Sequence, residues 1–407
     1  MENVENQELN QVGQQATGPV EPTINEEKPK RSKKRLFLLL FLLVMTAIML
    51  TTSTYAWFTS NRTVTVEDIN VNVAASGGIQ ISVDGSAWKT IITNADLLAA
   101  HSTYAAATNQ IPSTLRPVST AGQSLDSNGY MSMWLGTVST SNSEANRGEY
   151  ILSTEDVSTV VDNSVADPGQ NAGTNGAFVM FDLFVRLDDS TSTADKMLYL
   201  TTSSNVVVQD NKADLGTQNS ARVAFIKENH IATGSALSDI QALKSTNASD
   251  IHIWEPNYNT HTPTGLSNAY SYYNNTESGS QLTPAQAGTQ ITYHGVIGAV
   301  STSQDVLLSE ANANDNSDKF ATVTAPIKTA ANWSSGTTYE QLFALKPNYI
   351  TKIRVYFWIE GQDIDCENSA SGGQIALRLQ FSLDSSSPAT SGTSATTSET
   401  TSEVSGG

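Results

Sequence analysis

The residues best equipped for chemistry fall in one short stretch, EGQDIDCEN, where Glu360, Asp363, Asp365 and Glu367 place four carboxylates within eight positions. A hard cation such as Ca²⁺ takes about six to eight oxygen ligands, and a loop rich in carboxylates is one way to supply them. The cluster therefore predicts a calcium site, the one cofactor expected here. The spacing Asp363-x-Asp365-x-Glu367 matches the start of an EF-hand loop, but that motif's glycine and distal glutamate are missing. The alternative is a solvated hairpin loop in which Asp363 or Asp365 caps the turn's own amides.

The five histidines are His101, His230, His252, His261 and His294, and His252, Glu255 and His261 fall together in HIWEPNYNTH. On a strand His252 and Glu255 face opposite sides, because their spacing is odd. No third ligand at a metal-binding spacing is evident. The sequence has no HExxH helix, GxSxG elbow, phosphate loop or dinucleotide glycine pattern, so no enzymatic activity is expected. The single cysteine, Cys366, rules out an internal disulfide framework and reads as a buried thiol.

These residues need a framework, and its dominant period is two. In QIALRLQFSL the residues Ile375, Leu377, Leu379, Phe381 and Leu383 form one face. In TKIRVYFWI, Ile353, Val355, Phe357 and Ile359 alternate with Lys352, Arg354, Tyr356 and Trp358. Tyr356 and Trp358 form either an outward carbohydrate platform or a packing surface, and packing is the commoner use of such rings. In RTVTVEDINVNV the parity changes at Glu67-Asp68, which predicts a bulge or a switch between sheets. Further strands are expected at 79–83, 177–187, 196–201, 205–209 and 221–227, with a turn at Asp84-Gly85. Short helices are expected in 94–107 and 235–245, capped by Asn94 and Ser235. Sparse helices among alternating strands predict an all-β fold: an antiparallel β-sandwich or jelly-roll-like body over 59–383 with short helical decorations. Residues 228–345 are less regular and read as an insertion or a weaker subdomain.

Hydrophobic residues make up 39% and charged residues only 15%, so the surface is neutral-polar rather than ionic. Residues 1–35 carry six acids and six bases, so the net charge of −18 belongs wholly to the rest. A body this acidic repels phosphate backbones, which excludes nucleic acid as a partner. The six bases lie in KPKRSKKR, directly before the apolar run LFLLLFLLVMTAIML and the small residues TTSTYA. This layout predicts a signal peptide or signal-anchor helix over 36–58, with a cytoplasmic lead, 1–35, and an exported body. Cleavage is expected between Ala56 and Trp57; without it, 36–58 holds the protein in the cell membrane. Residues 385–407 contain 14 Ser/Thr in 23 with no base, so 384–407 reads as a disordered tail.

The stretch STYAWFTSNRTVTV, a strand directly after it and an all-β body resemble the TasA/camelysin type of Gram-positive surface protein. That resemblance covers residues 50–73 and, loosely, 351–383. It implies export by a dedicated signal peptidase, a jelly-roll-like sandwich, and assembly into biofilm matrix fibres. The chain departs from the pattern in its long polar lead and its 228–345 stretch. The expected function is a structural or adhesive cell-surface protein that contacts itself or wall and matrix components. Self-assembly would use the strand carrying Trp57, Phe58, Val64 and Val66. The competing readings are a wall-carbohydrate-binding module and a surface hydrolase.

Overall fold

The computed structural model describes residues 64–73, 78–139, 151–160, 176–188, 193–257, 260–263, 294–296, 306–307, 320–322, 327–328, 339–361, 363, 365–366 and 370–385. The expected cytoplasmic lead, the 36–58 helix, Ala56, Trp57, Phe58, Glu367 and tail residues 386–407 lie outside them. Among the described residues no helix is long and apolar enough to cross a membrane.

The fold is mostly β. Along the chain come β1 (Val64–Val73), β2 (Ile79–Ser82), β3 (Ile91–Ile92), α1 (Asn94–Ala99), β4 (Thr114–Leu115), β5 (Ser119–Leu125), β6 (Met131–Ser139) and β7 (Ile151–Asp156). Next are β8 (Val179–Leu187), β9 (Lys196–Leu200), β10 (Asn205–Val208), β11 (Ala221–Ala232), α2 (Leu237–Gln241) and β12 (Ile251–Glu255). The last are β13 (His294–Val296), β14 (Val306–Leu307), β15 (Phe320–Thr322), β16 (Ile327–Lys328), β17 (Glu340–Leu345), β18 (Tyr349–Ile359) and β19 (Gln374–Ser382). Sheet A runs β17-β9-β19-β1-β3, with β10 also on β19 and β4 on β1. Sheet B runs β16-β12-β11-β18-β8-β2, sheet C runs β14-β7-β6-β5, and β13 pairs with β15.

Alternation along the strands decides the layers. Ile69 and Val71 of β1 and Leu377, Leu379 and Phe381 of β19 meet Phe181, Val223, Phe225, Val355 and Phe357 of sheet B in one buried cluster. Phe225 meets Phe381 edge-on across this core, ring centroids 6.0 Å apart. Burying one such side chain contributes about 1.5–3 kcal/mol. The other face of sheet B is also covered. There Phe178, Met180, Ala224, Ile226, Tyr356 and Trp358 pack against Met131, Met133 and Leu135 of β6. Sheet B is thus a central layer, and all of β18 after Tyr349 is buried. Tyr356 and Trp358 are packing residues, which removes them as an exposed platform.

Several expectations need correction. The body is not wholly antiparallel: β1 pairs with β19, and β12 with β16, in parallel. A parallel pair needs a long crossover rather than a hairpin, and the first and last long strands have the whole body between them. The parity change at Glu67-Asp68 is a bulge, since the β1–β19 register slips between Val66 and Asp68. The cap of α1 is Thr93, which forms a reciprocal capping box with Asp96, and α2 begins after Ala236 with no side-chain cap. Both helices are therefore shorter than expected, neither longer than six residues. Within 228–345, β12 joins β11 in sheet B and β17 joins β9 in sheet A.

Candidate functional site

The carboxylate loop follows directly from β18, and β11 beside it supplies its counter-charge. Arg222 lies opposite Trp358 in the ladder. Its Nη2 reaches Glu255 Oε1 at 2.9 Å and Asp363 Oδ2 at 2.6 Å. Asp363 Oδ1 accepts from the Asp365 N–H at 2.9 Å. Asp365, fully buried, accepts from the Thr262 N–H at 2.7 Å and the Thr262 hydroxyl at 3.0 Å. Its second oxygen meets His261 Nδ1 at 2.7 Å. Glu360 accepts from the Ser119 hydroxyl and, at 3.2 Å, from Trp358 Nε1. Close loop packing holds the group together: at Gly216, whose φ is +77°, a Cβ would stand 2.1 Å from the Thr262 side chain.

Glu360, Asp363 and Asp365 thus turn to different protein donors instead of converging. Among the described residues no group of three His, Cys, Asp or Glu is arranged to hold a metal ion. His261 does join this group, but through Asp365 rather than through His252, whose ring packs 5.8 Å from that of Phe343. Burial opposes the charged imidazolium of His261, yet its Asp365 hydrogen bond and the nearby charges of Asp363 and Glu255 outweigh that and raise its pKa. Burial likewise pushes the Asp365 carboxyl up, with His261 opposing. Cys366 is buried against the first core.

A second polar cluster sits on the same face of sheet B, and its members lie far apart along the chain. Arg354 grips Asp182 of β8 with Nε at 2.9 Å and Nη2 at 3.3 Å. Lys352 Nζ lies 3.0 Å from Asp182 Oδ2 and donates to Tyr104 Oη at 3.0 Å and the Gln241 carbonyl at 2.9 Å. Arg354 Nη1 stands 2.8 Å from Glu228 Oε1 and donates to the Gly129 carbonyl at 3.2 Å. Burial works against the Asp182 charge, but Arg354 and Lys352 prevail and hold its carboxyl below the usual range. For Glu228 burial prevails, and its carboxyl is pushed up to about 7. The signal available in the sequence was a charge inside an apolar run: Asp182 in AFVMFDLFVRL, and Arg222 and Glu228 in ARVAFIKE. In a strand covered on both faces, such charges must find one another.

His261 and Asp365 have the geometry of an oriented base, and among the described residues His261 Nε2 is buried with no hydrogen-bond partner. Both clusters hold loops onto sheet B. Comparison with protein-family models, curated proteins and solved structures yields no match.

Proposed function

We propose that this chain is an exported or membrane-anchored structural protein of the cell surface, a matrix-fibre subunit of the TasA/camelysin kind with a jelly-roll-like body. The observation that carries this reading is the seat of β1. It is the first described strand, bonded along its length to the last long strand, β19, while among the described residues its other edge pairs with the two-residue strands β3 and β4. Val64, Val66, Ile69 and Val71 fill pockets in the first core. The same strand of a neighbouring copy would make every one of these contacts equally well, and exchange of this kind propagates instead of closing. Residues 57–63 would then bridge the two copies.

The test compares 57–407 with 67–407, which lacks Val64 and Val66, by sedimentation and electron microscopy. Filaments from the longer chain, shortened by adding the truncated one as an acceptor that cannot donate, are the expected result. Two equally stable monomers would end the proposal.

A further inference from the structure

Glu228 sits where the regularity of β11 breaks. The β11–β18 register skips it, passing from Lys227 opposite Ile353 to Asn229 opposite Lys352. Asn229 takes φ of 130°, a conformation that strains any residue with a side chain. The bulge delivers a carboxylate with no solvent exposure to the point where two surface loops meet. Its Oε2 accepts the Ser245 N–H at 2.7 Å, from the loop after α2. A Cβ placed on Gly129, in the β5–β6 turn, would lie 3.3 Å from that same oxygen and 2.7 Å from the Ser245 carbonyl. Its Oε1 is 2.8 Å from Arg354 Nη1, an ion-pair contact, and accepts no hydrogen bond among the described residues.

We propose that Glu228 is a proton-operated latch, holding the Gly129 turn and the Ser245 loop against sheet B and releasing them when it ionises. The charged groups around it are fixed. Arg354, Lys352 and Tyr356 face it from β18, and Asp182 from β8. Tyr104 stands against Lys352, and the Tyr130 ring lies 4.8 Å from the Arg354 guanidinium. On the loops, Lys244 donates to the Ser127 carbonyl, Asp250 accepts from the Ser245 hydroxyl, and Asp126 caps its own turn. Arg354 turns Nε and Nη2 to Asp182 and one Nη1 hydrogen to Gly129, and Glu228 Oε1 accepts no hydrogen bond in the covered site, so an ionised Glu228 gains most from water. Water reaches it only if the Ser245 loop or the Gly129 turn lifts.

The test is hydrogen–deuterium exchange of the full-length chain between pH 5 and 8.5, corrected for intrinsic rates, beside the variant E228Q. A carboxyl that titrates at about 7 when covered and at its ordinary 4.5 when hydrated raises the open fraction roughly seventyfold over that range. Protection at 126–130 and 241–247 should fall by that order while the β8 amides stay protected, and E228Q should remove the pH dependence. A flat wild-type profile, or an equal slope in E228Q, would overturn the latch. Should E228Q not fold, ¹³C titration of the wild-type Glu228 carboxyl decides. Ionisation together with loop loosening supports the latch, and ionisation near 4.5 overturns it.

Discussion

Arg222 and Arg354 lie on one face of sheet B, four residue pairs apart in the β11–β18 ladder, and each gathers a buried polar cluster. Around Arg222 the partners come mainly from a single loop, with Glu255 and the His261–Thr262 segment brought alongside. Around Arg354 they come from β8, β11, β18 and two surface loops, and the charges nearly balance. The first cluster is therefore local and rich in acid, and the second is a long-range knot. The difference teaches that a conspicuous run of charges can be the less demanding piece of structure.

Removing each arginine sharpens the contrast most. R354M leaves buried Asp182 with Lys352 alone and removes the Arg354 charge from Glu228, and should cost about 3–5 kcal/mol in urea unfolding. R222M should cost about 1–3 kcal/mol, because Asp363 lies in a loop where it can regain water and Glu255 ends its strand beside that loop. Equal losses would break the distinction. The clusters also differ in the pH window over which they weaken. The folded-state pKa of Glu228, about 7, exceeds the unfolded 4.5, so stability present below pH 4.5 is lost as pH rises towards 7, by about 3 kcal/mol. E228Q should flatten that slope in melts across pH 4–8. The pKa of His261 is raised above 6.5, so its contribution is full below pH 6.5 and disappears only as pH rises through the higher folded value. D365N should abolish this later loss and leave the earlier one intact. The smallest effect concerns calcium. With Asp363, Asp365 and Glu360 already held by Arg222, His261, Thr262 and Ser119, millimolar Ca²⁺ should leave the midpoint within about 1 °C of that in EDTA.

The layered β architecture was largely legible, because alternation in β1, β18 and β19 survives every tertiary influence. The faces of β18 were read correctly, but not that both are covered, since period two reports sides and not what lies beyond them. The bulge at Glu67-Asp68 left a trace as broken parity, whereas the one at Glu228 left none, lying where β11 turns polar. The acidic loop was visible as composition, yet its chemistry was set by Arg222 and His261, each more than 100 positions away. Parallel pairing of β1 with β19 was illegible for the same reason, because it is fixed by pockets in the core and not by any turn.

That pairing has a mechanical consequence. Tension applied through the residues before Val64 and those after Ser382 pulls β1 and β19 lengthwise past one another, because the two strands run the same way. Eight residue pairs then carry the load together rather than opening one at a time from an end. The joint resists shear, and a neighbour's β1 seated in the same groove would pass tension from one subunit to the next by the same route.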